Sequence, residues 1–341
     1  MTTSATSAAP LVRAVGLAKV YPARGGQSEF RAVDGIDFEL RRGEVFGFLG
    51  PNGAGKSTTM RMIGATSPRS AGTLAVLGMD PDTHGAEIRT RLGVVPQDDA
   101  LDRELTVREN LYIYGRYFNL SRAAIRARSE ELLDFAQLRE KADSQVESLS
   151  GGMRRRLTIA RSLINNPDMV LLDEPTTGLD PQARHVLWDR LYRLKQDGVT
   201  LLLTTHYMDE AEQLCDRLMV VDHGRIVAQG TPSSLIAEHA TREVLELRFP
   251  LDVAEAAAAK LSASRLAGPG GSSGSGGDGG GDGARGRIDV LPDRVLVYAD
   301  DGEAALAVVH AEMGLVPETA LVRRATLEDV FLKLTGRSLI D

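Results

Sequence analysis

The feature that most constrains this chain is an eight-residue loop, Gly50-Pro51-Asn52-Gly53-Ala54-Gly55-Lys56-Ser57. It follows Glu44-Val45-Phe46-Gly47-Phe48-Leu49, an apolar run of buried-strand length, and precedes Thr58-Thr59-Met60-Arg61-Met62-Ile63, which predicts a helix. Strand, glycine turn and helix in that order call for an α/β architecture. Gly50, Gly53 and Gly55 permit backbone angles that aim successive N–H groups inward, and the positive end of the following helix dipole joins them in holding phosphate oxygens. Lys56 adds a point charge for the β- and γ-phosphates of a nucleotide, and the Ser57 hydroxyl is placed to ligate the accompanying magnesium. With Thr58 continuing the loop into the helix, all eight positions fit a Walker A motif.

At 341 residues the chain has material for about two domains. Its formal net charge of −7, from 40 basic and 47 acidic residues, argues against a nucleic-acid surface. The one cysteine, Cys215, shares an apparent helix face with Met208, Ala211 and Leu214, which predicts a buried thiol, and a single cysteine excludes an intrachain disulfide and suits a reducing cytoplasm. Residues 1–10 are small and polar and read as a disordered tail. Nowhere do about 18 apolar residues run together, so no helical membrane span is expected.

Leu11 to Val20 predicts an edge strand, with Tyr21 just after it; that ring either stacks on an adenine or packs on its own hairpin. Ala32 to Leu40, Gly72 to Leu77 and Arg91 to Val95 predict further strands, and Gln97 stands in the loop after the last of them, where its amide oxygen can reach magnesium or an attacking water. Thr106-Val107-Arg108-Glu109 has the form of a capping box opening a helix that carries Tyr112, Tyr114, Tyr117 and Phe118, either a small local core or a surface for a partner. A charged helix follows from Ser121 to about Leu138. Ser150, Gly151 and Gly152 then open another helix, a second anion-binding end that is either an ordinary cap or serves a nucleotide held by another copy.

Met169 to Leu172 is a buried-strand run ending in Asp173-Glu174-Pro175. Neighbouring residues on a strand point to opposite sides, so one carboxylate can hold hydrated magnesium while the other takes a proton from water attacking the γ-phosphate. Asp180 is placed as N-cap of the next helix with Pro181 at its first position. Thr200 to Thr205 is again a buried strand, and His206 at its end is either structural or a hydrogen-bond donor to the γ-phosphate or the glutamate. Beyond a closing hairpin the composition changes to a small α+β domain interrupted by residues 268–287, almost all Gly, Ser and Asp, a flexible insertion by composition.

The Walker A loop, Gln97, Leu149-Ser150-Gly151-Gly152-Met153, Asp173-Glu174-Pro175 and His206, in this order, resemble the ATPase cassette of an ABC transporter. Thr106-Val107-Arg108-Glu109-Asn110-Leu111 and Leu327-Glu328-Asp329-Val330-Phe331 are similar to the branch serving bacterial drug, polyketide and glycolipid exporters, the daunorubicin-resistance and nodulation-factor type. The resemblance implies a P-loop NTPase fold over 11–238, with a mixed sheet core, an antiparallel β subdomain and a helical subdomain at about 98–165, then a small α+β domain over 239–341. It implies an ATP- and magnesium-dependent ATPase working with a separate transmembrane permease from the cytoplasmic face. It also implies a head-to-tail pair in which Ser150, Gly151 and Gly152 of one copy complete the site on Lys56 of the other. By the same resemblance Ser57, Gln97 and Asp173 attend magnesium, Glu174 is the general base, His206 senses the γ-phosphate, Tyr21 stacks on adenine and Asp180 links the pair. Met153 and Gly178 stand where the family commonly has glutamine and alanine, both in keeping with this branch, and the glycine-rich insertion has no counterpart in the pattern. A soluble ABC ATPase acting on nucleic acid or ribosomes is the alternative; the acidic balance and the lack of a second cassette or long coiled coil speak against it. The intact Glu174 and His206 speak against a module that only holds ATP.

Overall fold

The computed structural model describes residues 9–22, 29–264, 266, 287–291, 293–311 and 313–336. Most of the expected tail, and all of the expected insertion except Arg287, lie outside the described residues. The chain packs as two units, Met1–Thr231 and Pro232–Asp341.

The first unit runs through strand β1 (Val12–Tyr21), β2 (Phe30–Leu40), β3 (Val45–Leu49), helix α1 (Lys56–Ile63), β4 (Ala71–Val76), α2 (Gly85–Thr90) and β5 (Leu92–Val95). It continues through α3 (Val107–Tyr117), α4 (Arg122–Ala136), α5 (Gly151–Ser162), β6 (Met169–Asp173), α6 (Pro181–Gln196), β7 (Thr200–Thr205), α7 (Met208–Leu214), β8 (Arg217–Asp222) and β9 (Arg225–Gly230). Six strands form the main sheet in the order β5-β6-β7-β3-β8-β9, parallel except for β9. Strands β3 and β7 are buried along their whole length, as a parallel sheet covered on both faces requires.

A three-stranded antiparallel sheet, β2-β1-β4, packs on this core. Its middle strand is β1, which corrects the edge position expected for Leu11 to Val20: β4, arriving after β3 and α1, pairs with the side left open by β2. Phe38 of β2 meets Phe46 and Phe48 of β3 at ring-centroid distances of 6.1 and 5.4 Å, so both sheets share one apolar cluster. Phe46 and Phe48 lie two apart and therefore face the same way.

Helices α3, α4 and α5 form a separate helical layer. The Thr106 hydroxyl accepts from the Glu109 N–H and the Glu109 carboxylate accepts from the Thr106 N–H, the capping box that opens α3. Gly115 lets α4 come close, since a Cβ there would lie 2.8 Å from Ile125. Cys215, just past α7, is buried, which pushes its thiol pKa up.

The second unit runs through α8 (Pro232–His239), β10 (Glu243–Arg248), α9 (Leu251–Ser262), β11 (Ile288–Val290), β12 (Val295–Ala299), α10 (Gly302–Ala311), β13 (Thr319–Arg324) and α11 (Leu327–Thr335). Its antiparallel sheet has the order β11-β12-β10-β13. Leu245, Leu247, Leu261, Val297 and Val309 are the apolar core on one face. The alternate residue Tyr298 points to the other face, where its hydroxyl donates to the buried Asp329 at 3.3 Å, and Arg323 donates to the same carboxylate at 2.7 and 3.0 Å. Because α8 packs on α11, the division falls after Thr231, ahead of the boundary expected at 238.

Gly93 of β5 lies so close to the end of α5 that a Cβ would meet the Ser162 carbonyl oxygen at 2.4 Å. Gly93→Ala should therefore lower the unfolding free energy by about 1–3 kcal/mol. Urea unfolding of the full chain checks this, and an unchanged midpoint would contradict it.

Candidate functional site

The C-terminal ends of β3, β5, β6 and β7 reach one edge of the parallel sheet, the place where α/β sheets bind ligands. Residues 50–55 leave β3 there and turn into α1. Gly55 has φ +102° and a Cβ on it would lie 2.3 Å from the Ala32 carbonyl oxygen, so only glycine fits the tight approach of the loop to β2. Lys56 is 4% exposed; its Nζ donates to the carbonyls of Gly50 at 2.7 Å and Pro51 at 2.9 Å and lies 3.7 Å from Glu174 Oε1. Burial pulls the Lys56 pKa below that of a free lysine, and the charges of Glu174 and Asp173 offset part of the effect. A cavity of about 320 Å³ lies over this loop, lined among others by Asn52, Gly53, Ser57, Thr58, Gln97 and Glu174.

Asp173 ends β6, and its Oδ1 accepts from Ser57 Oγ at 3.0 Å and Thr204 Oγ1 at 2.5 Å. Glu174 leaves the strand in the left-handed region with φ +46°, its N–H donating to the carbonyl and hydroxyl oxygens of Thr204. This turn, and not strand alternation, gives the two acids different partners. Glu174 Oε2 accepts from Gln97 Nε2 at 3.2 Å and Thr177 Oγ1 at 3.1 Å. His206 Nδ1 lies 3.4 Å from Glu174 Oε1, close enough for an ion pair when the ring is protonated but not aligned as a hydrogen bond. Lys56, Ser57, Gln97, Asp173, Glu174 and His206 thus converge on one place.

The remaining candidates do not join them. Ser150 caps α5, accepting from the Met153 N–H at 3.3 Å, and Asp180 caps α6, accepting from the Ala183 N–H at 2.8 Å. Ser150, Gly152 and Asp180 line a second cavity of about 230 Å³ that shares no lining residue with the first. Gly152 permits the two helix starts to meet, since its Cβ would lie 3.0 Å from that of Ala183. Tyr21, the last residue of β1, has Lys19 Nζ 5.3 Å from its ring and is not among the residues lining the phosphate-loop cavity; Phe30, its cross-strand partner on β2, is 57% exposed and does line it. Only the hairpin register could have singled out Phe30.

Sequence reading also passed over Thr177 and Thr204, whose hydroxyls hold the two acids, and Arg155, whose buried guanidinium reaches the backbone around both Gln97 and Glu174. Three arginines in a row on α5 were the one available signal.

Residues 33–177 match the family described as ABC transporter, and residues 277–336 match the C-terminal domain of the nodulation factor export protein NodI. A solved dimeric ATP-binding cassette in a post-hydrolysis state, bound to ADP and Pi, superposes with a TM-score of 0.59 at 28% identity, over 64% of this chain and 98% of that one. Sheet, loop and helical layer together define an ATP-hydrolysing ABC cassette, and this chain is the ATP-binding and ATP-hydrolysing subunit of an ABC transport system. The Nod factor export ATP-binding protein I of Ralstonia nicotianae is 48% identical over 340 residues, covering 97% of this chain and 96% of that protein. Its counterpart in Paraburkholderia xenovorans is 44% identical over 314 residues, covering 92% and 95%. The chain belongs to the family of Nod factor export ATP-binding protein I. Among the described residues, no helix is long and apolar enough to cross a membrane.

Behind the site, Glu210 of α7 is fully buried and accepts from Trp188 Nε1 at 3.3 Å. Burial holds its carboxyl above the ordinary range, opposed by Thr205, Thr176, Trp188 and Arg184. A raised carboxyl pKa means that the folded chain holds this proton more tightly than the unfolded chain. The stabilisation is complete below the unfolded pKa and is lost as pH rises through the folded one. Glu210→Gln, which cannot titrate, should therefore gain on the wild type as pH rises from about 4 to 8. Urea unfolding at both ends of that range checks it, and a pH-independent difference would contradict it.

Proposed function

We propose that this chain drives the export of a lipid-like saccharide cargo of the Nod factor kind, from the cytoplasmic face of a membrane, through a separate transmembrane permease. The names of its relatives support the cargo class, and the lack of a long apolar helix among the described residues fits a division of labour with another chain. The observation that carries the mechanism is the separation of the two cavities: Lys56 and Glu174 face one, Ser150 and Gly152 the other. A second copy set head to tail brings the two halves to a single ATP.

In this reading the backbone from Gly50 through Ala54 and Gly55 to Ser57 and Thr58 cradles the phosphates, while Lys56 exchanges its carbonyl partners for β- and γ-oxygens. Ser57 Oγ, the Asp173 carboxylate and the Gln97 amide oxygen are hard oxygen donors suited to magnesium, which binds with few protein ligands beside a nucleotide. Magnesium would supply charge neutralisation on the β- and γ-oxygens. Glu174 accepts the proton of the attacking water, its carboxylate kept in place by Gln97 and Thr177. His206 donates toward the γ-phosphate or Glu174, and the aromatic pair at the end of the β1–β2 ladder, Tyr21 with the cavity-lining Phe30, supplies the face on which the adenine stacks. Ser150, Gly151, Gly152 and Asp180 of the neighbouring copy close the site. Hydrolysis then loosens the pair, and the Gln97 loop with α3 passes the motion to the permease.

Glu174→Gln should retain ATP binding, accumulate an ATP-dependent dimer by size exclusion, and hydrolyse about 10²- to 10⁴-fold more slowly. Turnover near that of the wild type would remove Glu174 from the base role. Lys56→Ala should weaken nucleotide binding itself, as fluorescent-ATP titration would read. Affinity purification of the full chain from its own cells should bring down a polytopic membrane protein, whereas recovery with ribosomes or nucleic acid instead would overturn the transport assignment.

A further inference from the structure

Arg155 is the middle of three successive arginines at the start of α5, and it alone of the three is buried, at 6% exposure. Its Nε donates to the Pro175 carbonyl at 2.7 Å. Its Nη1 donates to the carbonyls of Pro96 at 2.5 Å and Gln97 at 3.1 Å, and its Nη2 to those of Asp173 and Glu174, both at 3.0 Å. Four of the five acceptors belong to two loops, one after β5 and one after β6, and the fifth, Asp173, is the last residue of β6; the Glu174 carbonyl also takes the Thr177 N–H at 3.3 Å. Backbone carbonyls buried away from water need donors, and one planar fork supplies them to both loops.

The contact falls where the backbone most needs holding. Glu174 sits at φ +46°, a conformation that persists for a residue with a Cβ only when its surroundings fix it. From one side the Thr204 carbonyl and hydroxyl take the Glu174 N–H; from the other, Arg155 takes the Glu174 and Pro175 carbonyls. The peptide groups on both sides of the side chain are thereby oriented, and with them the carboxylate.

We propose that Arg155 is a positioning residue for hydrolysis: a strut that keeps Gln97 and Glu174 in register with the first turn of α5. The proposal rests on the reading of Glu174 as general base. Because α5 begins at the Ser150-Gly151-Gly152 end, which in the paired arrangement meets the neighbour's nucleotide, the strut ties the state of one nucleotide site to the geometry of the base in the other. Lysine cannot replace it, since a compact ammonium with three donors cannot span five carbonyls at the ends of two strands.

The test compares the full-length wild type with Arg155→Lys, Arg155→Gln and Glu174→Gln. Arg155→Lys should lower kcat at least tenfold while fluorescent-ATP affinity stays within threefold, because the loop at Lys56 is untouched, and Arg155→Gln should lower kcat further. Amide hydrogen exchange in both arginine variants should quicken at least fivefold at residues 97–100 and 174–179 and stay unchanged in α1 and β3. Exchange unchanged in those two loops overturns the strut, as does a uniform rise that includes α1 and β3, or a kcat within twofold of the wild type. Equal turnover by wild type and Glu174→Gln would sink the base assignment instead, and the exchange measurement decides the strut in either case.

Discussion

An ammonium group taken out of water governs the arrangement of the first unit. Lys56 is buried, and leaving such a charge unanswered in the interior would cost several kcal/mol. Two carbonyls of its own loop and the Glu174 carboxylate answer it, so the loop after β3 and the turn after β6 must arrive together. The sheet order β6-β7-β3 places β7 between them, which delivers His206 to the same spot and lets Thr204 brace both acids. In the function proposed above, a triphosphate takes over the role those carbonyls play. The site is in this sense preorganised, with an internal stand-in for the negative charge it is built to receive.

Much of this was legible in the sequence because the residues concerned act locally. The strand–loop–helix order around residues 50–57, the capping box at Thr106 and Glu109, and the Asp180-Pro181 helix start each depend on neighbours within a few positions. What depended on distant pairing was hidden. The position of β1 is set by β4, which joins it after a strand and a helix have intervened, so an isolated reading of residues 11–20 could not place it mid-sheet. Helices α2 and α8 have one buried apolar residue each, Ile88 and Leu235, too little to mark a periodic face.

The site divides along the same line. Residue type and spacing pointed to Lys56, Ser57, Gln97, Asp173, Glu174 and His206. Which of Arg154, Arg155 and Arg156 turns inward is a matter of helix phase against two loops that lie far off in sequence, and nothing in three identical residues reveals it. Thr177 and Thr204 look like ordinary loop and strand threonines until the carboxylates are seen beside them. The strand-alternation argument reached separate partners for Asp173 and Glu174, while the cause is a left-handed residue immediately after the strand.

In the second unit the first residue of β10, Glu243, pairs with the last residue of β13, Arg324, and the flanking helices α8 and α11 pack together. Such a layout sets the start of the unit's first strand beside the end of its last. The polypeptide could be relinked from residue 336 back to 232 and opened at the exposed residues 300 and 301 between β12 and α10 without cutting a paired strand, a permutation that surface connections accommodate. A fold of that kind can be appended, exchanged or lost by recombination at Thr231 while every strand within it keeps its neighbours.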